Sequence, residues 1–293
     1  MTFKHKVSVI GTGAVGSALA AALHDKGLFV SGLFNRTRTA ADRLGGYADA
    51  EMTGRFPESL EYLGQICFIC VPDDSIEDVA VKLSALEGDF SRVSFVHTSG
   101  SKPASVLSPL RAKGSPTASF HPLQTFSGSV RNTIFSGCYI SLQGDGPLIV
   151  ELRVIADILD AHSLEVNEEQ KNGLHLAAVF TCNYLPALME AARLSLQSTG
   201  PDIDVVKVMG PLISNTWKNI TQKGIDASLT GPVSRGDSGT VSRHLRGIKG
   251  SGRLTSIYTN LGSVTLDIAR RRGLDAEQAL KIQRVLDEAH GRI

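Results

Sequence analysis

The sequence predicts an α/β fold in which a doubly wound parallel sheet forms the N-terminal domain and an all-helical C-terminal domain follows it. Two patterns lead to this prediction. Short apolar runs rich in β-branched residues alternate with helical segments up to residue 167, as a parallel sheet with crossover helices requires. From Glu168 onward the strand patterns stop and long segments with a 3.6-residue period replace them. We therefore expect two domains, residues 1–167 and residues 168–293.

The composition is that of an ordinary globular protein. Of the 293 residues, 42% are hydrophobic and 20% are charged, and the formal net charge is +1. Such a balance gives no indication of a nucleic-acid-binding surface or a polybasic membrane surface. No apolar run reaches the length of a membrane span, and the first strand begins too early for a signal peptide to precede it. We therefore expect a cytoplasmic protein whose partner is a small molecule.

The segment Lys6–Gly27 organises the first domain. Its apolar run, Val7–Ile10, predicts a buried parallel strand, and an alanine-rich helix follows the turn GTGAVG. In such a turn Gly11 permits the tight bend, Gly13 lets a pyrophosphate approach the backbone, and Gly16 lets the helix pack closely on the strand. With the free N–H groups of the helix N-terminus, this pattern predicts a dinucleotide-binding Rossmann domain, the alternative being a glycine turn that binds no phosphate. We assign the whole turn to cofactor binding: Gly11, Thr12, Gly13, Ala14, Val15 and Gly16.

The end of the second strand, Phe29–Phe34, indicates which dinucleotide binds. An acidic residue at this point, about 20 residues beyond the glycine turn, binds the ribose hydroxyls of NAD. Here the chain has Asn35, Arg36, Thr37 and Arg38. Arginine binds a 2′-phosphate bidentately, so the sequence favours NADP(H), with Asn35, Arg36 and Thr37 as contacts. The alternative is that the two arginines only solvate the start of the next helix.

Two further strands end in polar segments at the same edge of the predicted sheet. The strand Gln65–Val71 is followed by Pro72, and the strand Val93–His97 by a polar turn that contains glycine. The carboxyl edge of a doubly wound sheet faces the cofactor. We therefore assign four residues of these segments to cofactor binding: Val71, Pro72, Thr98 and Ser99. We expect Asp73 and Asp74 only to cap the following helix.

The remaining strand patterns complete the first domain. A short strand, Thr117–His121, ends in a polar segment that contains Gln124. Further strands are expected at Gly137–Leu142 and Ser163–Val166, with the helix Pro147–Leu159 between them. The pair Cys67 and Cys70 has the spacing C-x-x-C but lies inside an apolar strand, where residues three apart face opposite sides of the sheet. We interpret both as small buried hydrophobic residues and expect no metal site.

The helical domain is predicted to contain five long segments: Lys171–Thr199, Ile203–Lys223, Val241–Ile248, Leu254–Arg272 and Ala276–His290. In the first of these, His175 and Asn183 share one broad face, which is otherwise apolar. Pro186 cannot donate a hydrogen bond to the carbonyl of Cys182, so we expect a bend around residues 182–186. The alternatives are that His175 is a hydrogen-bonded core histidine and that Asn183 only satisfies a carbonyl loosened by the bend.

A polar loop rich in glycine and proline, Ser228–Asp237, separates two of these helices. Arg235, held between glycines and a proline, is a candidate for binding a substrate anion such as a carboxylate or phosphate. Asp237 and Ser238 have the simpler role of capping the next helix, which contains His244.

Seven motifs resemble one family: GTGAVGSAL, FNRT, CVPDDSI, HTSGS, FHPLQTF, HLAAVFTCNYLPAL and LTGPVSRGD. It is a family of Rossmann-like oxidoreductases with a C-terminal helical domain of unknown function. This family is similar to pyrroline-carboxylate reductase, the deazaflavin-dependent NADP reductases, prephenate dehydrogenase, and the 6-phosphogluconate and β-hydroxyacid dehydrogenases. The resemblance implies a homodimer formed through the helical domain and an active site in the cleft between the domains.

One feature of those relatives does not transfer. The β-hydroxyacid dehydrogenases use a helix lysine followed four residues later by asparagine. In this chain Val179 precedes Asn183 by four residues. Lys171 precedes His175 by four, but it lies at the very start of the predicted helix.

Together these observations predict an NADP(H)-dependent oxidoreductase that transfers a hydride to or from a small carbonyl, imine or hydroxy substrate in the interdomain cleft. Histidine titrates nearest the working pH, so His121 and His175 are the expected acid/base groups. Asn183 and Gln124 would orient the substrate, and Arg235 would bind its anionic group. Deazaflavin is a narrower alternative acceptor. The alternative from another class is a non-catalytic NADP(H)-binding sensor or assembly protein.

Overall fold

The computed structural model describes residues 5–126, 135–196 and 203–291. By its internal contacts the chain divides into two compact units, Met1–Val179 and Phe180–Ile293. Only the first part of the helix that we expected over Lys171–Thr199 therefore belongs to the first unit, and the part from Phe180 onward belongs to the second. The functional boundary at residue 167 stays a prediction.

In the residues that are described, the first unit is built on one sheet of eight strands. Their bounds are β1 Lys6–Ile10, β2 Phe29–Phe34, β3 Met52–Gly54, β4 Ile66–Ile69, β5 Ser94–His97, β6 Thr117–Leu123, β7 Tyr139–Gly144 and β8 His162–Glu165. The order across the sheet is β3-β2-β1-β4-β5-β6-β7-β8, so the direction of winding reverses between β1 and β4. All neighbours pair in parallel except β6 and β7, which are antiparallel.

The described part of the first unit contains six α-helices: α1 Ala14–Asp25, α2 Arg38–Tyr47, α3 Ile76–Ser84, α4 Ser108–Arg111, α5 Gly146–Ile158 and α6 Glu168–Ala178. The alternation of side chains along the strands gives two buried clusters. Phe68 of β4 lies in one of them, with Phe120 in an edge-on contact, and Cys67 and Ile69 lie in the other. Cys70 packs against the first cluster, so the two cysteines lie on opposite faces, as the sequence predicts.

The second unit is helical in the residues that the structure describes. Its long helices are α7 Leu185–Leu196, α8 Val205–Ser228, α9 Ser238–Gly247, α10 Gly252–Arg271 and α11 Ala276–His290. A buried apolar cluster joins α9, α10 and α11 through Val241, Leu245, Leu266, Ile282 and Leu286. None of the helices described is long and apolar enough to cross a membrane.

The predicted fold class is confirmed, with three differences in detail. The strand β3 has only three residues and was not predicted. The antiparallel direction of β7 departs from the fully parallel sheet that we expected. The helix predicted over Lys171–Thr199 is not continuous, because a π-helical turn, Val179–Asn183, separates α6 from α7. This wide turn lies just before Pro186, where the missing N–H loosens the helical ladder, and the predicted end at Thr199 lies outside the described residues.

Candidate functional site

The glycine turn joins β1 to α1 in the conformation that the sequence predicts. Gly11 has a φ of +96° and donates a 2.7 Å hydrogen bond to the carbonyl of Phe34, and a Cβ atom there would lie 2.5 Å from the carbonyl oxygen of Cys70. A Cβ atom on Gly16 would lie 1.9 Å from the carbonyl oxygen of Gly11. At Gly13 a Cβ atom would meet nothing within 4 Å. Gly11 and Gly16 are thus required by close packing, whereas Gly13 faces open space.

The start of α1 has the chemistry of an anion site. Its N-cap, Gly13, has no side chain, and no acidic residue lies in the first turn, so no side chain satisfies the first N–H groups. The exposed backbone at Gly13 and Ala14 presents these donors to the outside. In the part of the chain that the structure describes, Thr12 Oγ1 is buried without a hydrogen-bond partner. These groups fit a pyrophosphate, which would accept hydrogen bonds from them.

The two arginines in the segment after β2 have different surroundings. Arg38 forms an ion pair with Asp42 at 3.6 Å, one turn further along α2. Arg36 is exposed and has no ion-pair partner within the described ranges of the chain. The amide of Asn35 donates to the carbonyl of Thr37 at 3.3 Å, which orders the segment. Arg36 is therefore the arginine that remains available for a 2′-phosphate.

The turn after β5 is held by a network of hydrogen bonds. The buried ring of His97 accepts at Nδ1 from the N–H of Ser99, at 3.2 Å, and so carries its proton on Nε2, which lies 3.2 Å from the carbonyl of Pro103. Burial lowers the pKa of His97 to about 3, so this ring is neutral. The N–H of Thr98 donates to the carbonyl of Ile69 at 3.2 Å. Two of the predicted cofactor contacts, Thr98 and Ser99, thus lie on a fixed turn.

Lys171 enters this turn from the first turn of α6. Its side chain is only 2% exposed, and Nζ donates 2.7 Å hydrogen bonds to the carbonyl of Ser99 and to Oγ of Ser119 on β6. Burial lowers the pKa of Lys171 to about 8, against the opposing effect of the Asp73 carboxylate. Sequence reasoning noted Lys171 but set it aside because of its place at the start of the helix. Its spacing of four residues from His175 was the available signal.

Asp73 does not have the role that we expected. Helix α3 begins at Ile76 without a side-chain cap, and Asp73 Oδ2 instead accepts a 2.5 Å hydrogen bond from Oγ of Ser101. Partial burial of Asp73 works against ionisation, but the hydrogen bonds from Ser101 and Ser99 outweigh it and the pKa is lowered. Asp73 is therefore a carboxylate that supports the turn after β5.

His121 and His175 meet beside Gly100. Their ring centroids are 6.0 Å apart, and a Cβ atom on Gly100 would lie 2.6 Å from Nδ1 of His175 and 2.7 Å from Nε2 of His121. Glycine at this position lets both rings approach the turn. Burial, with the nearby charge of Lys171, lowers the pKa of His121 to about 4. Our reason for choosing His121, titration near the working pH, is therefore wrong, because the ring is neutral there.

These residues form one group, which we call the polar cluster: Asp73, Ser119, His121, Lys171 and His175. All five belong to the first unit. Ser119 and His121 are two residues apart on β6 and therefore share a face of the sheet. The turn after β4 supplies Asp73. The turn after β5 supplies Ser99, whose carbonyl accepts a hydrogen bond from Lys171. The polar cluster thus lies at the carboxyl edge of the parallel strands, the edge at which β1 leads into the glycine turn.

Three further predicted site residues, Gln124, Asn183 and Arg235, are exposed. Gln124 lies just beyond β6, and its Oε1 accepts from the N–H of Thr125 at 2.8 Å. Asn183 and Arg235 belong to the second unit, in the π-helical turn and in the loop before α9. Asp237 caps α9 by accepting from the N–H of Thr240 at 2.9 Å, as the sequence predicts. Substrate-binding roles for Gln124, Asn183 and Arg235 stay predictions.

Val71 and Pro72 follow β4 and lead to Asp73. Val71 is half-buried, and its Cγ1 would lie 3.0 Å from a Cβ atom on Gly11, so it lines the glycine turn. Pro72 is exposed. Among the described residues, no group of three or more His, Cys, Asp or Glu side chains is arranged to hold a metal ion.

Comparison with protein families agrees with this architecture. Residues 2–122 match a family model described as a Rossmann-like domain, and residues 138–265 match one described as a domain of unknown function (DUF2520). The chain therefore combines a Rossmann-like domain with a C-terminal DUF2520 domain, and the family resemblance seen in the motifs is confirmed. A search of proteins with curated functions gives no match.

Three solved structures illustrate the fold. A proposed NADP oxidoreductase from Bacteroides fragilis is 24% identical, with a TM-score of 0.72 over 91% of this chain and 98% of that chain. Protein TM1727 from Thermotoga maritima is also 24% identical, with a TM-score of 0.70 over 91% and 99%. A reductive aminase from Aspergillus terreus, in complex with NADPH and ethyl levulinate, is 16% identical, with a TM-score of 0.61 over 99% and 95%. At these identities the likeness establishes the shared fold.

Proposed function

We propose that the protein is an NADP(H)-dependent oxidoreductase that transfers a hydride to or from a small carbonyl, imine or hydroxy compound. One observation carries the proposal. The turn that contains Thr98 and Ser99, expected to meet the nicotinamide, is hydrogen-bonded to the buried amine of Lys171 and flanked by His121 and His175. Hydride addition to a C=O or C=N group must be accompanied by a proton. The polar cluster supplies proton-carrying groups beside the expected cofactor contact.

The residues of the first unit fit the cofactor. The uncapped N–H groups at the start of α1 and the unpaired Thr12 hydroxyl would hold the pyrophosphate, and Arg36 would hold the 2′-phosphate. The structures of an NADPH-bound reductive aminase and a proposed NADP oxidoreductase of similar fold support this choice. When bound, the reduced cofactor supplies the hydride. The protein contributes orientation and the proton.

Lys171 is our leading candidate for the proton donor. Its pKa of about 8 leaves the amine mostly protonated at pH 7 and still able to release a proton. Two of its three N–H bonds are used by Ser99 and Ser119, which leaves one for a substrate oxygen or nitrogen. In the direction of reduction this proton balances the hydride, and in the direction of oxidation the neutral amine accepts it.

The two histidines would have different tasks. His121 is neutral, so it would donate or accept a hydrogen bond that orients the substrate without changing its own charge. His175 is half-buried and also lies beside Gly100, and it is the second candidate for moving the proton. Asn183, Gln124 and Arg235 keep their proposed tasks of orienting the substrate and binding its anionic group.

We also propose a homodimer formed through the second unit. Several large apolar side chains of α8 are exposed, including Val206, Val208, Leu212 and Trp217. Exposed apolar surface of this kind marks an interaction site, and a second copy of the chain is the occupant that we propose. Analytical ultracentrifugation should give a dimer, and Leu212→Glu should give a monomer. A monomeric wild-type protein would contradict this proposal.

Calorimetry and absorbance together test the proposed activity. Calorimetry should show NADPH binding more tightly than NADH. With NADPH and a panel of keto acids, imines, aldehydes and an oxidised deazaflavin, absorbance at 340 nm should fall for at least one member. Binding without turnover on any member would favour the sensor alternative. Absence of binding to either nucleotide would refute the proposed function itself.

A further inference from the structure

A concave site in the second unit is independent of the polar cluster. It is a cavity of about 440 Å³ bounded by α7, α9, α10 and the loop before α9. Much of its wall is apolar and includes Pro232, Ile248, Leu254, Ile257 and Leu261. Its volume lies in the range of small-molecule sites, about 300–1,000 Å³.

Two polar rings converge on this cavity. Nδ1 of His244 lies 2.9 Å from the hydroxyl of Tyr258, and the two rings meet edge-on with centroids 5.8 Å apart. Burial raises the pKa of Tyr258, so the phenol stays protonated at neutral pH. The pair therefore offers both a hydrogen-bond donor and an acceptor. Among the described residues that line the cavity there is no Asp, Glu, Lys or Arg.

The loop that forms one wall is held in place. Gly236 has a φ of +73°, and a Cβ atom there would lie 2.6 Å from Oε1 of Gln278 on α11. Val233 is 7% exposed within the cluster that joins α9, α10 and α11. Asp237 anchors the end of the loop as the cap of α9. The wall formed by Thr230 and Pro232 thus exists before any ligand arrives.

We infer that this cavity binds a compact, uncharged molecule of up to three rings that carries a single hydrogen-bonding group, recognised by the His244–Tyr258 pair. The apolar wall provides the contact area, and the polar pair fixes the orientation. A charged ligand is disfavoured, because it would lose hydration without meeting an opposite charge. The inference does not depend on the proposed redox function.

A fluorescence titration of the full chain with N-phenyl-1-naphthylamine tests this inference. The probe is uncharged, has one N–H group and brightens in apolar surroundings. We expect saturable binding with one site per chain. Tyr258→Phe, which keeps the ring and removes the hydroxyl, should weaken binding about fivefold, the effect of one hydrogen bond. Ala192→Phe, which fills the cavity from α7, should weaken it more than tenfold.

Two further variants separate the cavity from other apolar surface. Leu261→Trp fills the cavity from a wall position that is half-exposed and tolerates bulk, so it covers the case in which Ala192→Phe does not fold. Leu280→Gln removes an exposed apolar side chain on α11, away from the cavity and from α8, and should leave probe binding unchanged. The inference is overturned if the filling variants fold and still bind the probe. It is equally overturned if only Leu280→Gln lowers binding, or if affinity falls as protein concentration rises because a second copy fills the cavity.

Discussion

Nζ of Lys171 donates a 2.7 Å hydrogen bond to Oγ of Ser119, and both side chains are almost wholly buried. A lysine amine in such surroundings loses much of its preference for the charged form. The hydrogen bond holds the amine beside Ser119, which lies two residues before His121 on the same face of β6. Lys171 therefore combines a defined position with a proton that is free to move near neutral pH.

Replacement of Lys171 should remove most of the activity and leave cofactor binding intact. We expect Lys171→Met to lower turnover by about 10²–10⁴, the usual worth of a positioned acid or base. NADPH affinity should stay within about threefold of the wild type. Lys171 approaches the turn after β5 from α6, whereas the proposed phosphate contacts lie in the glycine turn and at Arg36. The exposed Lys82 offers a matched control, and Lys82→Met should have the activity of the wild type. Equal losses of turnover and NADPH affinity in Lys171→Met would mean a structural role.

The pH profile of the same reaction supplies a second readout. In the direction of reduction kcat/KM should fall above a pH of about 8, where Lys171 loses its proton, and in the direction of oxidation it should rise there. Lys171→Arg keeps the charge and should shift this limb upward beyond the measurable range. His121 should give no limb between pH 5 and 9, because its pKa is about 4.

Lys171 should also make the stability of the protein depend on pH. The folded-state pKa of about 8 is below the ordinary value of 10.5, so between these values the unfolded chain binds more protons than the folded one. The free energy of unfolding of the wild type, measured relative to Lys171→Met, should therefore rise from pH 8 to pH 10.5. The upper limit of the gain is roughly 3 kcal/mol, at about 1.4 kcal/mol for each pH unit. Urea denaturation of both proteins at several pH values measures this gain. If the difference between their free energies of unfolding does not change with pH, Lys171 is not a buried amine with a lowered pKa.

The choice between the two nucleotides should depend on Arg36. Arg36→Ala should weaken NADPH binding by roughly 10-fold to 100-fold, the worth of a charged hydrogen-bonding pair, and leave NADH binding unchanged. Arg38 is the natural control, because it already pairs with Asp42 and Arg38→Ala should have a smaller effect. Titration calorimetry with both nucleotides decides the matter. If neither affinity changes in Arg36→Ala, the arginine only solvates the start of α2.

Gly100 should be intolerant of a side chain for a steric reason. The methyl group of Gly100→Ala would lie within 2.7 Å of both imidazoles and must displace at least one of them. Displacement by about 1 Å costs on the order of 10² in rate, so turnover should fall by that factor while the protein stays folded. Gly173 on α6 is the matched control, since a Cβ atom there meets nothing within 4 Å. Full activity in Gly100→Ala would show that the spacing of the two rings is unimportant.

Local sequence patterns predict the framework of this protein because they act over short distances. The glycine turn, the strands β1 and β2 and the helix α11 each follow from spacing and turn chemistry within one segment. The antiparallel direction of β7 does not, since it depends on pairing with β6 after a long connection. The pattern of a strand shows which side chains alternate and which are buried, but it does not show whether the strand runs parallel or antiparallel to its neighbour.

The polar cluster was predicted only in part for the same reason. His121 and His175 stand out as polar residues in apolar surroundings, and they are found together. The burial of Lys171 and the bond between Asp73 and Ser101 join segments far apart in sequence, so no local pattern contains them. The neutral state of His121 follows from that burial and from the charge of Lys171, and it too was beyond local patterns.

The burial of Lys171 also makes it a reporter of local opening. Acylating reagents modify surface lysines quickly, but they should attack this amine, which is 2% exposed and held by two hydrogen bonds, far more slowly unless α6 is detached from β5 and β6. The rate at which mass spectrometry detects the modified peptide, compared with that of an exposed lysine, would therefore measure how often the helix detaches. A ligand that closes over this edge of the sheet would slow that labelling, even when its chemical identity is unknown.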